Sequence, residues 1–243
     1  MRAVRIFAIC FLALSFACPL RAAAPRSWTL RLLPTAGSVE YHLATTDTVS
    51  VEAGGRVTTH TTPLHRIVTR RITPVPGAPP PGLYEVEQSD RELAVKVGRG
   101  TLSLGGGKAA KFRVHPDGSG DGAPELDLVL PAQPVALGAR WESTAPGTLR
   151  QPLPLRTTYR LEREETIAGH RCLLIAAEVS GEADGPKGSH LTHRAKARLA
   201  FDPRAGLLVR AISDARTMVT QPRDAKGPRR RETHIRSRLE LAP

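Results

Sequence analysis

Asp117-Gly-Ser-Gly-Asp-Gly122 sets oxygen-bearing side chains at alternate positions and a glycine after the third of them, which is how a calcium-binding loop begins. Asp117, Ser119 and Asp121 are therefore candidate cation ligands, with Glu125 and Asp127 near enough in sequence to join them. Leu128 stands where a bidentate glutamate would close such a site. A glycine-rich turn between two strands accounts for the same letters. Ser119 also lies between glycines, but a nucleophilic serine needs a histidine and an acid converging on it, and no matching contexts appear. The chain has 8 histidines. His190 and His193 are three apart, which in a strand sends them to opposite faces. Pro63 separates His60 from His65, and His42, His115, His170 and His234 are scattered. Zinc would require several of these to converge through the fold. Cys172 opens the apolar run Cys-Leu-Leu-Ile-Ala-Ala, the setting of a buried, inert thiol. No cofactor other than calcium is suggested.

The basic residues raise a different chemistry. Lys and Arg number 35 against 23 Asp and Glu, a net charge of +12, and only six of the 35 are Lys, leaving 29 Arg. Such an Arg-for-Lys skew, with abundant Ala, Gly and Pro, also arises from GC-rich coding, so basicity by itself identifies no ligand. Position is more informative. If the last three long strands pair as consecutive hairpins, Arg194, Lys196 and Arg198 share a polar face with Arg210, Arg216, Arg236 and Arg238. That face suits phosphate-bearing lipid headgroups, anionic envelope polymers or nucleic acid. The competing expectation is a solvated face neutralised by Glu162, Glu164, Glu232 and Glu240. Nucleic acid fits poorly, because only Trp28, Tyr41, Tyr84, Phe112, Trp141, Tyr159 and Phe201 remain as aromatics beyond the leader described next, too few for stacking platforms. The same scarcity disfavours an outer-membrane barrel with its aromatic girdles.

The elements that would position these residues begin after a leader. Arg2 and Arg5 precede the apolar run from Ile6 to Ala17, and Cys18-Pro-Leu-Arg-Ala-Ala-Ala24 follows. A positive start, a short apolar core and a small-residue exit make residues 1–24 a secretory signal peptide, too short to span a bilayer. Cleavage is expected near Ala22 to Ala24, and Pro25 disfavours the last of these bonds. Lipid anchoring at Cys18 is not expected, because the aliphatic residue such a site needs, Leu14, lies one place too early. The mature chain, 25–243, is expected in the periplasm or outside the cell, with no transmembrane segment. Losing Arg2, Arg5 and Arg21 leaves 35 − 3 − 23 = +9. Cys10 and Cys18 leave too, so Cys172 has no intramolecular disulfide partner.

From Trp28 onward the apolar period is two. In His190 to Asp202, Leu191, His193, Ala195, Ala197, Leu199 and Phe201 alternate with Thr192, Arg194, Lys196, Arg198, Ala200 and Asp202. This is one long strand with a single apolar face, about 40 Å at about 3.3 Å per residue. Asp202-Pro-Arg-Ala-Gly206 is a turn by composition, Leu207 to Thr220 the next strand, and Glu232 to Leu241 a third. Earlier strands are expected at Val39 to Val51, Tyr84 to Val97 with a break at Ser89-Asp90-Arg91, Phe112 to Val114, Leu126 to Leu130, Thr157 to Ile167 and Arg171 to Val179. No segment carries a helical period over three turns. The expected fold is all-β: a large curved antiparallel sheet, or a half-open barrel or sandwich, of 10 to 13 long strands and few or no helices. Pro74-Val-Pro-Gly-Ala-Pro-Pro-Pro-Gly82 is a stiff connector. Pro131 to Trp141 divides the chain into possible halves, 25–130 and 131–243, of one large β domain.

Three segments carry a resemblance: Pro131-x-x-Pro-Val-x-x-Gly-x-x-Trp141; Tyr159-x-Leu161 leading to Ile167-Ala-Gly-His-Arg-Cys172; and Phe201-Asp-x-x-x-Gly206-x-x-Val209. The stretch from 126 to 241 resembles a loosely defined group of secreted bacterial β-proteins of unknown function, some similar to the half-open barrel of lipoprotein carriers. The resemblance implies a large antiparallel sheet and no catalytic residues; the helices that close the carrier cavity have no counterpart here. The expected function is a non-enzymatic, exported binding or structural module of the bacterial cell envelope. Its partner would be an anionic lipid headgroup or envelope component. A lipid or lipoprotein carrier and a metal-dependent hydrolase are the alternatives.

Overall fold

The computed structural model describes residues 26–32, 37–78, 82–92, 95–97, 100–102, 109–121, 128–145, 153–185, 188–224 and 227–243. The leader, with Cys10, Cys18 and both signal-peptide features, lies outside them, as do Glu125, Leu126 and Asp127. Fifteen strands occur among the described residues: β1 Ser27–Trp28, β2 Gly37–Ala53, β3 Arg56–Pro74, β4 Tyr84–Glu92, β5 Val95–Val97, β6 Gly100–Leu102, β7 Ala110–Val114, β8 Gly120–Asp121, β9 Val135–Ala136, β10 Arg140–Ala145, β11 Leu155–Ile167, β12 His170–Asp184, β13 His190–Asp202, β14 Leu207–Asp224 and β15 Gly227–Leu241. No α-helix is among them, and no helix is long and apolar enough to cross a membrane.

Eleven strands form one antiparallel sheet in the order β10-β11-β12-β13-β14-β15-β2-β3-β4-β7-β8, which does not close into a barrel. The C-terminal strand β15 pairs along its length with β2, from Arg229 opposite Ala53 to Leu241 opposite Tyr41. Both halves of the chain therefore build one sheet, joined at its middle by its two ends. Tight turns make the hairpins local. Gly54 and Gly55 both have positive φ between β2 and β3, as a two-residue type I′ loop requires. Ala168 and Gly169 do the same between β11 and β12, and Ala168 at φ 48° is the one non-glycine with positive φ among the described residues. After β13 the Asp202 carboxylate accepts the amides of Arg204 and Ala205 at 2.8 and 3.1 Å, and its carbonyl accepts from Gly206.

One face of the sheet carries the main core. Leu173, Ile175, Leu199, Phe201, Ala211 and Leu239 point to it from four adjoining strands, joined by Tyr41, Val68 and Tyr159. Two stretches outside the large sheet lie over this face: 26–32, with Leu30 fully buried, and 128–139, with Leu128, Leu130 and Val135 in the same cluster. β1 and β9 pair with each other above the sheet. Val129 is tied down by side chains. Its carbonyl accepts the Trp141 indole N–H at 2.7 Å, its amide donates to the Tyr159 hydroxyl at 3.3 Å, and the two rings stack with centroids 5.2 Å apart. On the opposite face, at one end of the strands, Cys172, Leu174, Ala200 and Val209 form a small second cluster.

Three strand expectations need correction. β4 runs unbroken through Ser89, Asp90 and Arg91 because those residues pair with Thr69, Val68 and Ile67. Leu128 and Leu130 belong to the strap across the core, not to a strand. β3, at 19 residues the longest strand, is an addition. Its Thr-rich first half lacks apolar alternation and holds Pro63, which sits where β3 is still an edge, since β4 pairs only from Arg66 onward. The Pro-rich connector closes the β3–β4 hairpin, with the Val75 amide bonded to the Leu83 carbonyl at 2.9 Å.

A basic groove as candidate functional site

Alternation places Arg194, Lys196 and Arg198 on the face of β13 opposite the core. Pairing carries that face across the sheet. One row runs Ala176, Arg198, Ile212, Arg238, Ala44 and His65; the next runs Glu178, Lys196, Asp214, Arg236 and Thr46; the third runs Ser180, Arg194, Arg216, His234, Thr48 and Thr61. Arg210 lies on the same face, between Ala200 and Glu240. All seven basic residues expected on one face, Arg194, Lys196, Arg198, Arg210, Arg216, Arg236 and Arg238, thus share it.

A twisted sheet is saddle-shaped, so each of its faces is concave along one diagonal. On the basic face the concavity is a groove of about 730 Å³, with His65 and Ala44 on one wall, Glu162 and Ala176 on the other, and Arg198, Asp214 and Arg238 in the floor. Ile212, 43% exposed, is an uncovered aliphatic side chain in that floor.

Neutralisation of these cations is uneven. Lys196 meets Glu178 at 3.3 Å, Arg236 meets Asp214 at 3.2 Å, Arg238 meets Glu240 at 2.6 Å, and Arg210 meets Glu165 at 3.9 Å. Asp214 also takes a hydrogen bond from His234 at 2.9 Å. That bond, with Arg236 adding to it, holds the Asp214 carboxyl below the usual carboxylate range. Arg194, Arg198 and Arg216 are exposed and have no ion pair or hydrogen bond with any described residue. Of the acids expected from sequence to do the neutralising, Glu240 alone serves a selected cation among the described residues. Glu232 pairs with Arg230, and Glu164 takes Arg26 and Arg171 at the end of the sheet. Glu178, Asp214 and Glu165 do the work instead, and register alone reveals them: Glu178 stands opposite Lys196, and Lys196 opposite Asp214.

The other sequence candidates lie apart from the groove. Asp117 and Ser119 sit in the turn between β7 and β8, where one Asp117 oxygen accepts both the Ser119 amide at 2.9 Å and its hydroxyl at 2.6 Å. Asp121 pairs with Arg113 in backbone register, and its side chain lies outside the described residues. His190 is bonded to Asp184 at 2.9 Å, and His193 to the Thr217 hydroxyl at 2.9 Å. Among the described residues no three His, Cys, Asp or Glu side chains are arranged to hold a metal. His170 and Asp202 form a 2.8 Å pair beside Cys172, but the thiol bonds the His170 carbonyl at 3.6 Å, not the ring. Burial first, and Asp202 second, push this thiol up to about 11, so it is not a thiolate near neutrality. Cys172 is a packing residue, and the pair beside it closes a turn.

On the core face, Tyr41, Ile72, Tyr84, Phe112, Val114 and Leu208 line an apolar pocket of about 140 Å³, close to the size that holds a single benzene ring. No protein-family model matches the chain, and no curated protein matches it.

Proposed function

We propose that the chain is an exported, non-enzymatic binding module of the bacterial cell envelope that takes an anionic ligand on its basic face, across the groove and the row of Arg194 and Arg216 that adjoins it. One observation carries the reading. Among the described residues Arg194, Arg198 and Arg216 have no acid beside them, while Lys196, Arg210, Arg236 and Arg238 each have one. A sheet face that served only solubility would not need Arg194 and Arg216 directly opposite one another, since like charges so placed are destabilising. The groove floor favours a hydrophilic ligand over a bare acyl chain. Its apolar residues Ala44, Ile212 and Ala176 are separated by Arg238 and Arg198, and the apolar pocket on the core face is benzene-sized. The anion is an envelope component, as a lipid headgroup or polymer, because the leader directs the chain out of the cytoplasm.

Native mass spectrometry of the mature protein purified from its host tests this. An anionic adduct that disappears from a variant carrying Arg194→Gln, Arg198→Gln and Arg216→Gln supports the reading. An adduct that persists in that variant, or a bound metal in its place, overturns it. Fractionation should find the chain outside the cytoplasm with residues 1 to about 22 missing, as signal-peptide anatomy requires.

A further inference from the structure

From the groove to the Arg194–Arg216 row beyond its end, the basic face has a charge profile along the strands, and the profile constrains what can lie on it. Resting on the reading above, we propose that the ligand is an elongated bisphosphate: one phosphate seats between Arg194 and Arg216, the other at Arg198 and Arg238, and an uncharged spacer joins them.

The first seat is a row with no acid in it. Ser180, Arg194, Arg216, His234 and Thr48 follow one another across five strands, and all but His234, whose N–H is taken by Asp214, can donate a hydrogen bond to a ligand. Arg194 and Arg216 are opposed on neighbouring strands, about 5 Å apart at the backbone. Two arginines opposed on one face can turn both guanidinium groups onto a phosphate, which carries more charge and more acceptor oxygens than a single bidentate arginine satisfies. A carboxylate would leave one of the two unmatched. His234 is held at the edge of this seat by Asp214.

The middle row has no charge to offer. Glu178 balances Lys196 at 3.3 Å, and Asp214 balances Arg236 at 3.2 Å. An anionic group placed over this row would meet two carboxylates, so the stretch of ligand crossing it carries no charge.

The second seat lies beyond. Arg198 has no partner among the described residues, and Arg238, bound to Glu240 through one nitrogen, stands two strands away with Ile212 between them. Arg194 and Arg198 are four residues apart on one strand, which puts the two seats about 13 Å apart along the groove. The same phosphate chemistry can be borne by a glycan or by a lipid head, and the spacing is what the groove reads.

Calorimetric titration at low ionic strength tests the spacing, with ethylene glycol bisphosphate, triethylene glycol bisphosphate and triethylene glycol monophosphate as ligands. Only the triethylene glycol bisphosphate is long enough to reach both seats. It should bind about tenfold or more tightly than the other two, the gain from making the second contact intramolecular. Arg198→Gln alone, or Arg194→Gln with Arg216→Gln, should each abolish that advantage, leaving the three ligands alike. These positions are exposed, and a cooperative melt no lower than that of the unmodified protein will confirm that the variants fold. If the long bisphosphate and the monophosphate bind equally to the unmodified protein, the two-seat arrangement is overturned while anion binding stands. If none of the three binds and an immobilised anionic polymer fails to retain the protein, the underlying reading is overturned as well. To separate sources, the long bisphosphate should compete with whichever bearer binds: a phosphorylated glycan free in solution, or vesicles of an anionic phospholipid in a flotation assay.

Discussion

Val129 offers a quantitative test of how the strap is fastened over the core. Both backbone hydrogen-bonding groups of this residue are taken by aromatic side chains, the carbonyl by Trp141 at 2.7 Å and the amide by Tyr159 at 3.3 Å. Tyr159→Phe keeps the fully buried ring and its stack on Trp141 but removes the acceptor. Trp141→Phe keeps a ring opposite Tyr159 but removes the donor. A hydrogen bond is worth about 0.5–1.5 kcal/mol net, and stranding its buried partner costs about 1–3 kcal/mol. The shorter, better-formed indole bond should therefore cost about 2 kcal/mol and the longer hydroxyl bond about 1 kcal/mol. In a domain of this length about 1 kcal/mol moves the midpoint by about 2–4 °C. Trp141→Phe should then lower Tm by about 4–8 °C and Tyr159→Phe by about 2–4 °C. Because both bonds hold one residue, losing either loosens the other, and the double variant should fall short of the sum by about 0.5 kcal/mol or more. Urea and thermal unfolding followed by circular dichroism measure all three variants. A neutral Tyr159→Phe, or a strictly additive double variant, would refute the claim that the two aromatics act jointly on the strap.

Four further outcomes follow from the same coordinates. Arg216→Thr should raise Tm at low salt, because it removes the like-charge opposition to Arg194 that costs about 0.2–1 kcal/mol, and the gain should vanish at high salt through screening; a salt-independent change would contradict the electrostatic cause. Cys172 should resist thiol reagents in the native protein near neutrality and react only on unfolding, its thiol being raised to about 11; rapid native labelling would contradict its burial. Burial pushes the Asp202 carboxyl up, but the His170 hydrogen bond and the amides of Ala205 and Arg204 outweigh it and hold the carboxyl below its usual value. The folded-state pKa is thus depressed, so the carboxylate stabilises the fold above about pH 4 and that contribution fades as pH falls further. The Tm gap between the unmodified protein and Asp202→Asn should accordingly shrink on acidification, and a constant gap would count against the pairing. Gly181→Ala should destabilise by about 1–3 kcal/mol through overpacking, since the added Cβ would overlap the Leu153 side chain and meet the Pro154 carbonyl at 2.7 Å; a neutral result in urea unfolding would show that this corner of the core can yield.

Much of the site was legible because sheet parity is simple. Arg194, Lys196, Arg198, Arg210, Arg216, Arg236 and Arg238 all have even numbers, and the β13–β14 and β14–β15 hairpins pair even with even over those residues, so they share a face once the turns are set. β13 begins and ends where alternation and the Asp202 to Gly206 turn place it. β3 was less legible, because a run of threonines around Pro63 has no apolar face to reveal its period, and its pairing partner β2 holds it in place. The irregularity between Leu161 and Arg163 in β11 is also silent in sequence. It puts Glu165 rather than Glu164 on the basic face, within reach of Arg210. A shift of one residue exchanges the faces of a strand, so the choice of neutralising acid depends on it.

The amino-acid sequence by itself determined that this chain is built of long antiparallel strands with one apolar and one basic face, because a period of two and the chemistry of turns are local properties. Tertiary structure alone decided that β15 returns to pair with β2. That contact joins the two ends of the chain and has no local signal, since it depends on where the whole sheet carries strands far apart in sequence. From it follow the continuity of the sheet and the wall of Ala44 and His65 that makes its basic face a groove.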